Sequence, residues 1–426
     1  MSRVKGKAMV AQSGGPTAVI NASVAGVIQT ALANESVFTG VYGAYNGVLG
    51  VLHEELFDLA AEDPRQIELL RRSPSAALGS CRYKLKDMET NRVDYERIIE
   101  VFKAQDIRFF FYIGGNDSMD TADKVSKLAA EEGYEMLAVG VPKTINNDLA
   151  FTDHCPGYGS VAKFTAVSAM EAGRDTESLW THDTTTVMEV MGRNAGWIAA
   201  SAALARRSEE DAPHLIYVPE AAFSVEAFVA DVKECLKRYD RCFIVAGEGL
   251  KTADGKYLAD AGGQFAKDAF GHTQLGGAGE ALRAIIESEV GVKARYNNAG
   301  TSQRNARHFA SATDVAEAYM AGAAAVQAAI DGVGGKMVSL VREEENGQYR
   351  CTTGLVDLAD VANGVKPLPP EFLNRDGNGV TEAFCRYARP LIAGTADLEI
   401  HDDGLPVYAR LARHMAEKKT GREYAT

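Results

Sequence analysis

Arg108-Phe109-Phe110-Phe111-Tyr112-Ile113 runs into Gly114-Gly115-Asn116-Asp117-Ser118, and Met136-Leu137-Ala138-Val139-Gly140-Val141 runs into Pro142-Lys143-Thr144-Ile145-Asn146-Asn147-Asp148. Short unbroken apolar runs bounded by turn residues read as strands buried on both faces, as in a parallel sheet covered by helices. Each strand therefore ends in a polar loop. Paired glycines let backbone N–H groups approach an anion, and the helix that follows, capped by Ser118, turns its N-terminus toward phosphate. Asp117 would repel that phosphate unless a divalent cation lay between them, so it argues for Mg²⁺. A helix-dipole role for Asp117 and an Asx-rich turn at Asn146 to Asp148 are the plainer alternatives. Lys143 and a second carboxylate, Asp148, on a neighbouring strand end favour a phosphate-transfer site over both.

The same alternation extends outward. Strand-like runs lie at Ala8 to Ala11, Phe38 to Tyr42, Thr185 to Val190, Leu215 to Val218, Phe243 to Ala246 and Met337 to Val341. Helices are expected over Thr17 to Ala33, Tyr95 to Lys103, Thr121 to Glu131, Val161 to Arg174, Val225 to Arg238 and Ala312 to Ala329. Gly354 to Glu399, rich in proline and glycine, reads as a loop-rich surface insertion, with a helical tail from Val407 to Lys419. The 426 residues, 46% of them hydrophobic, suffice for two cores. A net charge of −13 argues against nucleic acid or an anionic membrane as partner. Six scattered cysteines without a Cys-x-x-Cys pair suit a reduced compartment. No run is long enough to span a bilayer, and the basic N-terminus lacks the apolar core of a signal peptide, so a cytoplasmic protein is expected.

Seven short motifs complete the pattern: Ser13-Gly14-Gly15, Gly79-Ser80-Cys81-Arg82, Gly114 to Ser118, Pro142 to Asp148, Met191-Gly192-Arg193, Gly247-Glu248-Gly249 and Gln303-Arg304. In order and spacing they resemble the phosphofructokinase family, and within it the pyrophosphate-dependent branch. The resemblance implies an α/β fold of two Rossmann-like lobes with mostly parallel sheets flanked by helices. It implies a phosphoryl-donor lobe over 1–155, completed by about 310–426, and a sugar-phosphate lobe over 156–309.

The implied reaction is reversible, Mg²⁺-dependent phosphoryl transfer from pyrophosphate to the 1-hydroxyl of fructose 6-phosphate, by a homodimer or homotetramer. Gly14, Gly15, Arg82, Gly115, Asp117 and Lys143 would hold pyrophosphate, with Lys84 as a further cation. Thr144, Met191, Gly192, Arg193, Glu248 and Arg304 would hold the sugar phosphate, with Arg295, Tyr296 and Arg307 as weaker candidates. Asn116, Asp117 and Asp148 would ligate the metal. Asp117 and Lys143 stand where ATP users carry glycine; a carboxylate there crowds an adenosine-linked phosphate, which disfavours the ATP-dependent alternative. One departure matters. The family's loop reads Thr-Ile-Asp-Asn-Asp and its first aspartate is the base, whereas this chain has Asn146. The catalytic set is then Lys143, Asp148 and the Asn146 position, with Asp148 as substitute base or the chain as a slowed or phosphosugar-binding relative.

Overall fold

The computed structural model describes residues 4–424 except 82, 84, 86, 87, 89, 90, 180, 260–276 and 363. Eleven strands are described: β1 (Gly6–Gln12), β2 (Phe38–Ala44), β3 (Leu56–Asp58), β4 (Ile107–Gly114), β5 (Leu137–Pro142), β6 (Thr185–Val190), β7 (Leu215–Tyr217), β8 (Cys242–Gly247), β9 (Ala294–Asn298), β10 (Lys336–Glu345) and β11 (Gln348–Asp357). They form a seven-stranded sheet in the order β11-β10-β5-β4-β1-β2-β3 and a four-stranded sheet in the order β7-β8-β6-β9. The small sheet is all parallel, while the large one is parallel except at its two edge strands, β3 and β11.

Alternation within the central strands explains why they read as continuous apolar runs. Met9, Ala11, Phe110 and Tyr112 enter the core on one face of the large sheet. Ala8, Val10, Phe109, Phe111 and Ile113 enter the core on the other. Both faces are covered, so no position can be polar without a partner. The small sheet repeats the arrangement, with Phe243 and Val245 on one side and Ile244 and Ala246 on the other.

The helix Ala312–Ile330 lies against the helix Ile20–Leu32 at backbone contact. A Cβ on Gly26 would stand 2.2 Å from the Tyr319 carbonyl oxygen, and one on Gly322 would stand 2.1 Å from that of Ser23. Two glycines facing opposite helices thus tie the C-terminal part of the chain to the large sheet.

Three expectations fail. Ser118 is not a cap: the helix Asn116–Glu131 starts before it, and the Ser118 side chain packs against Gly114, where a Cβ would sit 1.9 Å from its Oγ. The tail from Val407 to Lys419 is extended, not helical. Its backbone N–H groups are taken by β3 (Ala416 N to Leu56 O, 2.7 Å) and by two buried carboxylates. Glu62 accepts from Ala412 N and Arg413 N, and Glu54 accepts from Lys419 N. Those external partners outcompete helical pairing. Residues 354–399 are no surface insertion either: Phe372, Phe384 and Tyr387 pack round the buried Trp197.

Candidate active site

Strand order in the large sheet reverses between β1 and β4, since β2 lies on one side of β1 and β5 on the far side of β4. The crevice beyond the strand ends at such a point is where open α/β sheets bind ligands. Three loops leave it side by side. Ser13 N donates to Ile113 O at 2.9 Å, and Lys143 N donates to Gly114 O at 3.0 Å, so the ends of β1, β4 and β5 are joined in register. Gly14 adopts φ +73°, and its carbonyl accepts from Ser80 Oγ at 2.6 Å. Lys143, almost wholly buried, donates from Nζ to Gly15 O at 2.9 Å and lies 3.2 Å from where a Cβ on Gly14 would stand. The helix Asn116–Glu131 begins directly after Gly115 with no side-chain cap. Ser118 N and Met119 N both donate to Gly115 O at 3.0 Å, so the positive end of the helix lies directly after the paired glycines.

The loop after β5 is fixed from several directions. Asn146 N donates to Thr144 Oγ1 at 3.1 Å, and Asn147, at φ +56°, donates to Tyr387 OH at 2.9 Å and accepts from Cys155 N at 3.0 Å. Burial raises the pKa of Asp148, only partly offset by hydrogen bonds from the side chains of Thr144 and Asn146. Lys366 N donates to Asp148 O at 2.8 Å. The Lys366 ammonium donates to Thr152 O at 3.0 Å and Asp153 O at 2.7 Å. Lys366 and Tyr387 both come from the segment expected to be a surface insertion. The only sequence signal for Lys366 was a basic residue between Val365 and Pro367.

The residues expected to hold a cation offer an amide oxygen, from Asn116, and two carboxylates, from Asp117 and Asp148. Asn116 Nδ2 donates to Gly364 O at 2.7 Å, which leaves the amide oxygen as the atom able to meet a cation. Hard oxygen donors of this kind suit Mg²⁺. Among the described residues, the only group of three His, Cys, Asp or Glu side chains with metal-ligand spacing is His154, Glu317 and Cys351. There His154 is already held between Asp153 (2.8 Å) and Glu317 (2.6 Å).

The facing side comes from the small sheet. Met191 N donates to Gln303 Oε1 at 3.0 Å, and Gly192, at φ +127°, donates to Glu248 Oε1 at 3.2 Å. A Cβ on Gly249 would fall 1.8 Å from the Arg193 carbonyl oxygen, so Met191-Gly192-Arg193 and Gly247-Glu248-Gly249 interlock. Burial raises the pKa of Glu248, opposed by the Gly192 N–H and by Arg193. Arg304 reaches the donor loops: its Nη1 lies 3.0 Å from the Cβ position of Gly15. Together with Gly14, Ser80 and Cys81 it lines a cleft of about 320 Å³. The weaker candidates go elsewhere. Arg295 pairs with Asp175 at 2.6 Å, Tyr296 OH accepts from Asn298 at 2.9 Å, and Arg307 turns to a different cavity. Arg82 and Lys84 lie outside the described residues.

Residues 7–329 match the family model described as "Phosphofructokinase". The chain belongs to the phosphofructokinase family. Its α/β architecture is the phosphofructokinase fold, and a solved pyrophosphate-dependent phosphofructokinase from Marinobacter aquaeolei superposes with a TM-score of 0.89 at 43% identity, covering 99% of this chain and 100% of that one. A pyrophosphate–fructose 6-phosphate 1-phosphotransferase from Halomonas elongata is 48% identical over 97% of each chain. One of the same name from Xanthomonas campestris pv. campestris is also 48% identical, over 97% of this chain and 98% of its own length. Gln303 on Met191 N and Arg304 beside Gly15 thus join the loops of the small sheet to those of the large one.

Proposed function

We propose that this enzyme transfers a phosphoryl group from pyrophosphate to the 1-hydroxyl of fructose 6-phosphate, giving fructose 1,6-bisphosphate and phosphate, in both glycolytic and gluconeogenic directions. The observation that carries the choice of donor is Lys143, whose ammonium closes over Gly14 and Gly15 and which, like Asp117, stands at a position where ATP users carry glycine. A compact charge held there suits a short donor. Full-length relatives named for pyrophosphate support the same reading.

In this reading Gly14, Gly15, Gly115, Asp117 and Lys143 hold pyrophosphate, and residues 1–155 with about 310–426 form the donor lobe. Thr144, Met191, Gly192, Arg193, Glu248 and Arg304 hold the sugar phosphate, mainly from 156–309. Mg²⁺, when bound through the oxygens of Asn116 and Asp117, would neutralise charge on the donor. Asp148 is the better base, because Asn146 cannot take a proton and burial raises the proton affinity of Asp148. Glu248 accepts sugar hydroxyls, and Arg304 pairs with the 6-phosphate. The enzyme would act in the cytoplasm as a homodimer or homotetramer.

Because the donor is a simple phosphoanhydride without a nucleoside, the reaction should run measurably backward. Fructose 1,6-bisphosphate plus phosphate should release pyrophosphate and fructose 6-phosphate in the presence of Mg²⁺. Absence of that reverse flux in enzyme active in the forward direction would exclude pyrophosphate as donor.

A further inference from the structure

Residues Gly364 to Leu368 bond to loops of both sheets. On the side of the large sheet, Gly364 O accepts from Asn116 Nδ2 at 2.7 Å, and Lys366 N donates to Asp148 O at 2.8 Å. The Lys366 ammonium donates to Thr152 O at 3.0 Å and Asp153 O at 2.7 Å, so main chain and side chain of one residue grip the loop that carries Asn146 and Asp148.

On the side of the small sheet, Lys366 O accepts from Trp197 Nε1 at 3.1 Å, and the ammonium lies over the Trp197 ring, 5.1 Å from its centroid. Leu368 N donates to Glu220 Oε1 at 2.8 Å. Both oxygens of that carboxylate also accept from Gly196 N, at 2.9 and 3.0 Å. Gly196 follows Met191-Gly192-Arg193 closely and opens the helix Trp197–Ser201. One short segment thus holds the chain beyond the ends of β4, β5, β6 and β7.

The sequence explains why this segment can act as a spacer. Lys366 and Leu368 each precede a proline, which biases both toward extended backbone, and Pro367, Pro369 and Pro370 have fixed φ. Proline carries no N–H, so from Lys366 to Pro370 the backbone donors are Lys366 and Leu368, and each goes to the loops of a different sheet. Leu368 is buried in the core round Trp197, which anchors the far end. An extended step of two residues covers only about 7 Å, too little slack for the two sides to separate without breaking a bond.

We propose that Gly364 to Leu368 is a brace that fixes the distance between the donor and acceptor loops, with Lys366 and Glu220 as positioning residues for phosphoryl transfer. Both act indirectly, Lys366 through the Asp148 loop and Glu220 through the turn after Met191-Gly192-Arg193. The inference rests on the reading that these loops face the reacting phosphoryl group and the sugar phosphate. In-line transfer needs attacking and leaving groups aligned, and a shift of about 1 Å in such a site costs on the order of 10² in rate. A stiff segment bonded to four strand-end loops meets that demand.

Lys366→Met and Glu220→Ala, singly and together, test this in steady-state kinetics with pyrophosphate and fructose 6-phosphate each varied. Either single variant should lose on the order of 10²-fold in kcat, while both KM values move less than about 3-fold. A brace cut at one end is already slack, so the double variant should be no slower than the slower single one. Losses that multiply would mean two separate supports and would overturn the proposal. Equilibrium dialysis with radiolabelled fructose 6-phosphate counts the chains that keep an intact acceptor side, and kcat is expressed per binding chain. A value equal to that of the wild type would reduce Lys366 and Glu220 to packing groups, which also overturns the proposal. Glu220 is partly exposed, so Glu220→Ala remains decisive if Lys366→Met does not fold. Wild-type enzyme that transfers nothing from pyrophosphate would sink the proposed function itself, and the brace with it.

Discussion

Asn146 Nδ2 lies 3.4 Å from Asp148 Oδ2, so the amide at the family's base position points its donor at the next carboxylate of the same loop. An amide there cannot accept a proton, but it can steady an anion that burial disfavours. The loop thus keeps one carboxylate where the family has two.

Asp148→Asn should lower forward turnover by about 10² to 10⁴, the usual contribution of a general base, with little effect on binding of fructose 6-phosphate. Asn146→Asp should set two carboxylates against each other, raising the pKa of one of them. Its acid limb in the pH–rate profile should move to higher pH than that of the wild type. Unchanged turnover in Asp148→Asn would remove Asp148 from the role of base.

Lys143→Met keeps the bulk of the side chain but removes the ammonium held at 2.9 Å from Gly15 O. Loss of one charge-assisted contact to the donor should cut kcat/KM for pyrophosphate about 10- to 100-fold. The KM for fructose 6-phosphate should move little, and steady-state kinetics with each substrate varied in turn separates the two effects.

Gly249→Ala would drive a methyl group to within 1.8 Å of the Arg193 carbonyl oxygen. The Arg193 loop must shift, and a displacement near 1 Å in a positioning loop costs on the order of 10² in rate. The loss should appear in kcat/KM for fructose 6-phosphate, while far-UV circular dichroism stays that of the wild type.

How much of this was legible in the sequence follows from burial. β1, β4, β5, β6 and β8 are covered on both faces and announce themselves as apolar runs. β11 alternates exposed and half-buried residues at a sheet edge, and β9 carries Arg295, Tyr296, Asn297 and Asn298, so neither stood out. The catalytic loops were legible because glycines, a lysine and carboxylates at strand ends have a chemical reason to be together. Lys366 and Tyr387 were not, since only the return of the chain across Trp197 brings them beside Asp148 and Asn147. The tail was misread because its hydrogen-bond partners, Glu54, Glu62 and β3, are remote in sequence.

His154 adds a prediction about stability. Burial works to lower its pKa, but hydrogen bonds to Asp153 and Glu317 prevail and raise it. A raised folded pKa means stabilisation that is fully present below the unfolded value and lost as pH rises through the folded one. His154→Gln should therefore be destabilised relative to wild type more at about pH 6 than at about pH 10, on either side of the ordinary histidine range. Urea unfolding at the two pH values measures it. A difference independent of pH would show that His154 is neutral in the fold.

The most direct test of the whole account is the initial rate of fructose 1,6-bisphosphate formation from fructose 6-phosphate and Mg²⁺, with pyrophosphate or ATP as donor at equal concentration. The account requires steady turnover with pyrophosphate and none above background with ATP. Turnover with ATP equal to or above that with pyrophosphate would contradict the assignment of Asp117 and Lys143 as a pyrophosphate-selecting pair.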